Sequence, residues 1–191
     1  MLKENKIISV LTIENSSLAI DLAKCLSDSG IRNLEITLRT KEAKKAIELI
    51  LSTNLDFNIG IGTVLTLDDL KFAKDIGADF ALSPCTDIEL IKESFKIDFN
   101  FISGESTSSD INTAIKLGCK VLKLFPTIQL GGLSYFKSIY SPYKSSELNF
   151  IALGGINDKN ANDFINNEHF IGVGASWIAS KKLIKNKDWK E

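Results

Sequence analysis

The sequence predicts a single α/β domain folded as a (β/α)8 TIM barrel. Eight short apolar segments alternate with longer amphipathic segments along the 191 residues, a pattern typical of parallel strands joined by helices. No linker, low-complexity tract or block of charge marks a boundary, so we expect one domain over residues 1–191. A doubly wound open sheet is the alternative that the same alternation allows.

Short runs rich in Val, Ile, Leu and Phe predict the strands. They cover residues 6–12, 32–37, 57–63, 79–83, 98–103, 120–125, 148–153 and 170–174. Between them, segments such as SLAIDLAKCL and TKEAKKAIELIL carry apolar residues at the i, i+3, i+4 spacing of an amphipathic helix. Gly30, Gly77 and Gly118 each follow a helical segment and indicate where it ends. After the eighth strand the chain allows one last helix with a basic, solvated end.

Composition and charge exclude several classes of partner. The 23 Lys and Arg residues balance 24 Asp and Glu residues, so we expect neither nucleic acid nor an anionic membrane as a partner. No apolar run approaches the roughly 20 residues of a membrane span, and the amino terminus lacks the apolar segment of a signal peptide. Cys25, Cys85 and Cys119 form no CxxC motif, which favours reduced thiols in a cytoplasmic protein.

The single histidine, His169, narrows the possible chemistry. Zinc sites built from several histidines are impossible, and a Ser-His-Asp triad or a Cys-His pair would have to use this one residue. It precedes the eighth predicted strand, and the start of a strand is the end of a barrel away from the active site. We therefore expect His169 to be structural or solvated, and catalysis to use Lys, Glu, Asp, Arg or backbone groups, without a metal or other cofactor.

A lysine inside a buried strand is the strongest functional signal. Lys123 lies in VLKLFP, where a buried ammonium is costly unless it is paired or neutral. Period-two alternation places Val121, Lys123 and Phe125 on the lumen face of the sixth strand. The same argument points Glu35 of LEITLRT into the lumen. An internal salt bridge is the structural alternative to a catalytic pair.

The third predicted strand ends in GIGT. Gly60 and Gly62 leave room for a ligand or another backbone to approach, and Thr63 offers a hydroxyl at the barrel mouth. Packing alone is the structural alternative for these glycines.

The ends of the seventh and eighth predicted strands indicate a phosphate site. Gly154 and Gly155 free two backbone N–H groups, and Gly174, Ala175 and Ser176 are expected to open the last helix. Tight turns made by small residues are the structural alternative.

Together these residues predict an imine-forming enzyme that acts on a phosphorylated 2-oxo acid. Desolvation favours the neutral amine of Lys123, which can attack a ketone. The iminium withdraws electrons from the adjacent carbon–carbon bond, Glu35 relays the proton, and Arg39 holds the substrate carboxylate.

Motifs along nearly the whole chain resemble the KHG/KDPG aldolase family. They are LEITLRT, GIGTVL, FALSP, KLFP followed by GG, LGGI and GASW, in that order. The resemblance implies a class I aldolase, usually a homotrimer, that needs no metal. It implies cleavage of 2-keto-3-deoxy-6-phosphogluconate (KDPG) to pyruvate and glyceraldehyde 3-phosphate in the Entner–Doudoroff pathway, and cleavage of 4-hydroxy-2-oxoglutarate to pyruvate and glyoxylate.

The resemblance also implies roles for individual residues. Lys123 would form the Schiff base, and Glu35 would be the acid/base. The implied substrate contacts are Arg39 and Thr63 at the carboxylate, Pro84 and Phe125 lining the pocket, and Gly154, Gly155 and Ser176 at the phosphate.

Several positions depart from the family pattern. Cys85 follows Ser83-Pro84 where the family has SPG, and Ser103 and Glu105 interrupt a PGIST segment. Leu153 replaces the threonine before the phosphate glycines. We expect these departures to change substrate recognition and to leave imine formation intact. A Glu105 that faced the pocket would repel phosphate.

Two other functions are compatible with parts of the pattern. A non-catalytic relative could keep the barrel and bind a sugar phosphate. Another phosphate-binding barrel, of the thiamine-phosphate or indole-glycerol-phosphate synthase type, would not account for Lys123 beside a lumenal glutamate.

Overall fold

The computed structural model describes residue 2 and residues 5–188. Within them, eight parallel strands form a closed barrel in the order of the sequence, and pairing of the first strand with the eighth closes it. The closed order confirms the predicted barrel and excludes the open sheet. The predicted basic end of the last helix beyond Asp188 lies outside the described residues.

Each predicted strand is present. The strands are β1 (Ile7–Leu11), β2 (Asn33–Thr37), β3 (Asn58–Gly62), β4 (Phe80–Leu82), β5 (Phe101–Glu105), β6 (Val121–Leu124), β7 (Asn149–Ala152) and β8 (Phe170–Ala175). The helices are α1 (Ala19–Asp28), α2 (Ala43–Leu51), α3 (Leu67–Asp75), α4 (Ile88–Lys96), α5 (Ser108–Lys116), α6 (Gly132–Tyr140), α7 (Ala161–Ile165) and α8 (Lys181–Asn186). Short 3₁₀ segments precede α1 at Ser16–Leu18 and follow α6 at Ser141–Ser146.

The three glycines predicted to end helices do so. Gly30, Gly77 and Gly118 have φ of 80°, 80° and 91°, the left-handed conformation that glycine adopts without a Cβ penalty. At the other end, α5 begins with a capping box in which Thr107 and Asp110 exchange hydrogen bonds with each other's backbone N–H. Local sequence therefore sets both ends of this helix.

Alternation along the strands separates two apolar layers. In β2, Leu34 and Ile36 pack outwards against the helices, as predicted, and Glu35 lies between them on the other face. The lumen is filled by a separate apolar cluster that includes Ile8, Phe80 and Ile151. This inner cluster closes the interior beneath the carboxyl ends of the strands, so chemistry is confined to the mouth.

The last helix begins later than predicted. β8 continues through Gly174 and Ala175, and α8 starts at Lys181 with Ser180 as its N-cap. Ser180 accepts a hydrogen bond from the backbone N–H of Leu183 and so caps the start of the helix. The expectation that Gly174–Ser176 opens a helix is therefore wrong, because β8 extends its pairing and a loop follows it.

No helix among the described residues is long and apolar enough to cross a membrane. Cys25, Cys85 and Cys119 form no disulfide.

Candidate active site

Lys123 and Glu35 meet inside the barrel. Lys123 Nζ lies 3.6 Å from Glu35 Oε1, and each residue is only 1% exposed. The two residues come from β6 and β2, on opposite sides of the closed sheet. The structure thus brings together the amine and the carboxylate that alternation had pointed into the lumen.

The pair lies in an apolar setting with incomplete hydrogen bonding. Lys123 Nζ is 5.1 Å from the centre of the Phe125 ring, and Glu35 Oε2 has no hydrogen-bond partner in the described part of the chain. The separation of 3.6 Å exceeds the usual 2.7–3.2 Å of an N–H···O bond. A bridge that served stability alone would need its remaining lone pairs satisfied. This pair instead leaves a carboxylate oxygen free to handle protons.

Two glycines in β3 make room for side chains of the barrel itself. A Cβ on Gly62 would overlap the Glu35 carboxylate, and one on Gly60 would overlap the Phe80 ring. The space predicted for a ligand or another backbone is therefore filled. Gly62 contributes to the site by letting Glu35 lie across β3.

Arg39 and Thr63 are linked at the mouth. The Nε of Arg39 donates to Thr63 Oγ1 at 2.9 Å. Thr63 has φ of 62°, a costly conformation for a β-branched residue. It follows Gly62 directly, so the hydroxyl and the exposed guanidinium stand at the carboxyl end of the strand over which Glu35 lies.

Phe125 and Pro84 follow β6 and β4 at the mouth of the barrel. Phe125 follows β6 and shares the lumen face with Lys123, as predicted. Pro84 is half-buried in the loop after β4. Both are at the carboxyl ends of strands, where a (β/α)8 barrel places its active site.

The predicted phosphate loop lies beside Phe125. Gly154 and Gly155 have φ of 94° and 74°, and neither N–H donates a hydrogen bond within the described residues. A Cβ on Gly154 would be 2.8 Å from Pro126 Cα and 3.2 Å from Phe125 Cδ2, so only glycine fits. Ser176 is exposed in the loop after β8. Two backbone donors are therefore available to an anion, without a helix N-terminus at Ser176.

Leu153 is buried in the lumen. It is 4% exposed, belongs to the inner apolar cluster and packs over Gly174, where a Cβ would lie 2.5 Å from Leu153 Cγ. The sequence predicted its position beside the phosphate glycines. The structure directs its side chain to the lumen wall instead, one period of alternation above Ile151.

Glu105 faces away from the pocket. Ile102 belongs to the lumen cluster, so alternation puts Gly104 on the lumen side of β5 and Glu105 on the helix side. The condition under which Glu105 would repel phosphate is therefore not met. Its burial raises the pKa of this carboxyl, and nearby Asp110 adds to the rise. The period-two argument used for β2 and β6 would have found this orientation from sequence.

His169 lies at the opposite end of the barrel. It precedes β8, and its ring packs 4.9 Å from the centre of the Tyr140 ring in an edge-on contact. The predicted structural role agrees with this position. No group of three or more His, Cys, Asp or Glu side chains among the described residues could hold a metal ion.

Comparison with known proteins gives a consistent result. The family described as KDPG and KHG aldolase matches residues 1–191. A 2-dehydro-3-deoxy-phosphogluconate aldolase of Haemophilus influenzae is 33% identical over 190 residues, covering 100% of this chain and 89% of that protein. The KHG/KDPG aldolase of Escherichia coli K12 is 30% identical, with 99% and 88% covered.

A solved structure extends the match to three dimensions. It is a KDPG aldolase from Legionella pneumophila, with pyruvate captured at low pH as a covalent carbinolamine intermediate. The TM-score is 0.91 at 34% identity, with 97% of this chain and 89% of that chain covered. Fold, lumenal pair and full-length similarity agree, and this chain belongs to the KDPG and KHG aldolase family.

Proposed function

We propose that this chain is a class I aldolase that cleaves KDPG through an imine on Lys123. The observation that carries the proposal is the desolvated amine of Lys123 held 3.6 Å from the Glu35 carboxylate. Two further observations support it: the backbone donors at the mouth and the aldolase activity of the relatives.

The first half of the reaction forms the imine. Glu35 takes a proton from the Lys123 ammonium, and the neutral amine attacks the C2 ketone of the substrate. The carbonyl oxygen takes one proton from the attacking nitrogen and the proton held by Glu35 and leaves as water, so a positively charged iminium remains and Glu35 is again a carboxylate. The apolar lumen favours this exchange because proton transfer between the pair leaves no net charge to solvate.

The second half breaks and repairs carbon bonds. Glu35 accepts the proton of the C4 hydroxyl, the C3–C4 bond breaks, and its electrons move to the iminium nitrogen as an enamine. Glyceraldehyde 3-phosphate leaves. Glu35 then returns its proton to C3, and water hydrolyses the resulting imine to release pyruvate and the free amine. One carboxylate thus serves as base and acid in turn.

Substrate binding is assigned to the mouth. The Arg39 guanidinium and the Thr63 hydroxyl are proposed to hold the carboxylate, with Pro84 and Phe125 lining the pocket. The N–H groups of Gly154 and Gly155, with the Ser176 hydroxyl, are proposed to hold the phosphate.

Several wider properties follow as proposals. Cleavage of 4-hydroxy-2-oxoglutarate is proposed as a second activity, because it uses the same imine chemistry without a phosphate. The chemistry requires no metal or other cofactor. Cysteines without disulfides support a cytoplasmic enzyme, acting on KDPG in the Entner–Doudoroff pathway.

We also propose a homotrimer. Leu65, Leu67 and Ile88 are 51%, 37% and 48% exposed, and they cluster at the amino ends of the neighbouring helices α3 and α4. Exposed apolar patches of this kind mark interaction surfaces.

Light scattering should give three times the 21.0 kDa chain mass. Leu65→Glu with Ile88→Glu should give a monomer, whereas Phe95→Glu at the other end of α4 should not. A monomeric wild type would contradict the proposal.

Borohydride trapping tests the imine. Incubation with pyruvate and borohydride should add one reduced pyruvyl group to Lys123, located by peptide mass spectrometry. Lys123→Ala should abolish both adduct and cleavage. Because it leaves the Glu35 carboxylate buried without its partner, the variant should be less stable than wild type, and circular dichroism checks that it is still folded at the assay temperature. Lys120→Ala, an exposed lysine just before β6, is the matched control and should behave as wild type. A wild type that forms no adduct would favour a non-catalytic relative.

The acid/base role of Glu35 is tested by Glu35→Gln. Turnover should fall by about 10²–10⁴-fold, the range for a lost general acid/base, while trapping at Lys123 persists at a slower rate. Glu48→Gln, an exposed glutamate on α2, should leave turnover unchanged. Near-normal turnover in Glu35→Gln would assign proton transfer to another group.

Leu153 is proposed to weaken the preference for the phosphorylated substrate. Leu153→Thr should lower KM for KDPG by roughly 2–10-fold, as one neutral hydrogen bond allows, and should lower KM for 4-hydroxy-2-oxoglutarate less. Leu153→Val is the matched control, since it has the shape of threonine without the hydroxyl. Equal KM values for the Leu153→Thr and Leu153→Val variants would show that a hydroxyl at position 153 binds no substrate group.

A further inference from the structure

Glu105 is a buried carboxyl with no role in the chemistry described above. It ends β5 and is 0% exposed, on the face of the strand that packs against the helices. Its Oε2 contacts Thr86 Oγ1, and its Oε1 has no hydrogen-bond partner in the described part of the chain. A carboxylate in this place would be a buried charge with one unsatisfied oxygen, which is costly.

The number of protons available for hydrogen bonding indicates whether Glu105 is protonated or ionised. Thr86 Oγ1 lies 3.1 Å from the backbone carbonyl of Gly104 and also contacts Glu105 Oε2. A hydroxyl has one proton and cannot donate to both oxygens. If Glu105 is protonated, it donates to Thr86, and Thr86 donates to Gly104. If Glu105 is ionised, one of the two acceptors loses its donor.

These bonds fix the loop that follows β4. The loop continues the pairing with β5, since Ser83 N donates to Ile102 O at 3.0 Å and Gly104 N donates to Cys85 O at 3.3 Å. A Cβ on Gly104 would lie 2.5 Å from the carbonyl carbon of Pro84, so the loop rests directly on β5. Two side chains anchor the segment that carries Pro84: Thr86 Oγ1 bonds to β5, and Ser103 Oγ of β5 donates to Cys85 O at 3.5 Å.

The charged neighbours favour the neutral acid. Asp110 on α5 is an acidic neighbour of Glu105, and although burial opposes its ionisation, hydrogen bonds led by the Ser106 N–H hold its pKa low. Burial raises the pKa of the Cys119 thiol, which precedes β6, to about 11. Cys85 lies exposed in the loop, and Lys123 points to the opposite face of β6. No cation among these groups would stabilise a carboxylate.

We propose that Glu105 is a positioning residue whose protonated form, through Thr86, holds the Pro84 loop against β5, and whose ionisation loosens it. The effect on catalysis rests on the proposed function, because it requires Pro84 to line the pocket. Burial raises the pKa of Glu105, so its contribution to stability is complete below the unfolded-state pKa of about 4.3 and is lost as the pH rises through the folded-state pKa.

Cys85 provides a direct probe of the loop, because it is exposed between Pro84 and Thr86. Its rate of modification by dithiodipyridine, followed by peptide mass spectrometry, is compared between wild type and Glu105→Gln from about pH 5 to pH 9. The carboxamide donates to Thr86 at every pH, and the ratio at each pH cancels the ionisation of the thiol. The ratio of wild type to variant should be near one at the acidic end and should rise at least about threefold at the alkaline end. A constant ratio overturns the proposal.

The Thr86→Val variant is an independent test, which does not depend on whether the Glu105→Gln variant folds. The variant lacks the anchor at every pH, so its Cys85 rate should exceed that of wild type by at least about threefold near pH 5 and approach it as Glu105 ionises. Equal rates near pH 5 would show that Thr86 does not hold the loop. Glu89→Gln, an exposed glutamate on α4, is the control and should match wild type throughout.

Steady-state kinetics test the link to the pocket. Relative to Glu105→Gln, the KM of wild type for KDPG should rise over the same pH range while the ratio of kcat values stays constant. A labelling ratio that changes with an unchanged KM ratio would overturn the link to Pro84. Because labelling needs no turnover, it decides the loop proposal even in a protein that cleaves neither substrate.

Discussion

The structure depends on the burial of one amine against one carboxylate. Lys123 and Glu35 are each 1% exposed, and neither charge would be tolerated there without the other. Their positions constrain the barrel around them: Gly62 must lack a side chain, and the strands that carry the pair must face each other across the lumen. The arrangement is costly for stability, and the proposed function uses it by keeping the Lys123 amine beside a proton acceptor.

Along the barrel axis, the side chains that pack the lumen lie apart from those proposed to carry out the chemistry. Apolar residues such as Ile8, Phe80 and Ile151 fill the middle of the interior. Polar side chains lie at the amino ends of β2 and β3, where Asn58 donates to Asn33, and towards the mouth, where Lys123 and Glu35 meet. The departures from the family pattern lie both inside the lumen and outside it. Leu153 extends the apolar wall towards the mouth, whereas Glu105 places a carboxyl in the layer between strand and helices. Both leave the lumenal pair unchanged, which is consistent with the family's chemistry being retained while recognition of the substrate differs.

Sequence alone determined the order of strands and helices, because period-two and helical periodicities are local properties. It also determined that Lys123 and Glu35 face the lumen, since the side chains flanking them are large aliphatics that must meet helices. Alternation also placed Phe125 on the face of Lys123, and the strand ends placed Arg39 and Thr63 at the mouth, whereas Pro84 was assigned to the pocket only by resemblance to the family. Gly154 and Gly155 were identified from the sequence because a tight turn at a strand end needs the positive φ that glycine adopts readily.

Only the tertiary structure decided what fills the space around those residues. The room left by Gly60 and Gly62 is taken by Phe80 and by Glu35, which are remote in sequence or on another strand. The last helix begins at Lys181 because β8 extends its pairing with β1 through Ala175. The contact between Glu105 and Thr86 joins a strand end to a loop 19 residues earlier. Such pairings depend on register and packing between elements, and no local pattern encodes them.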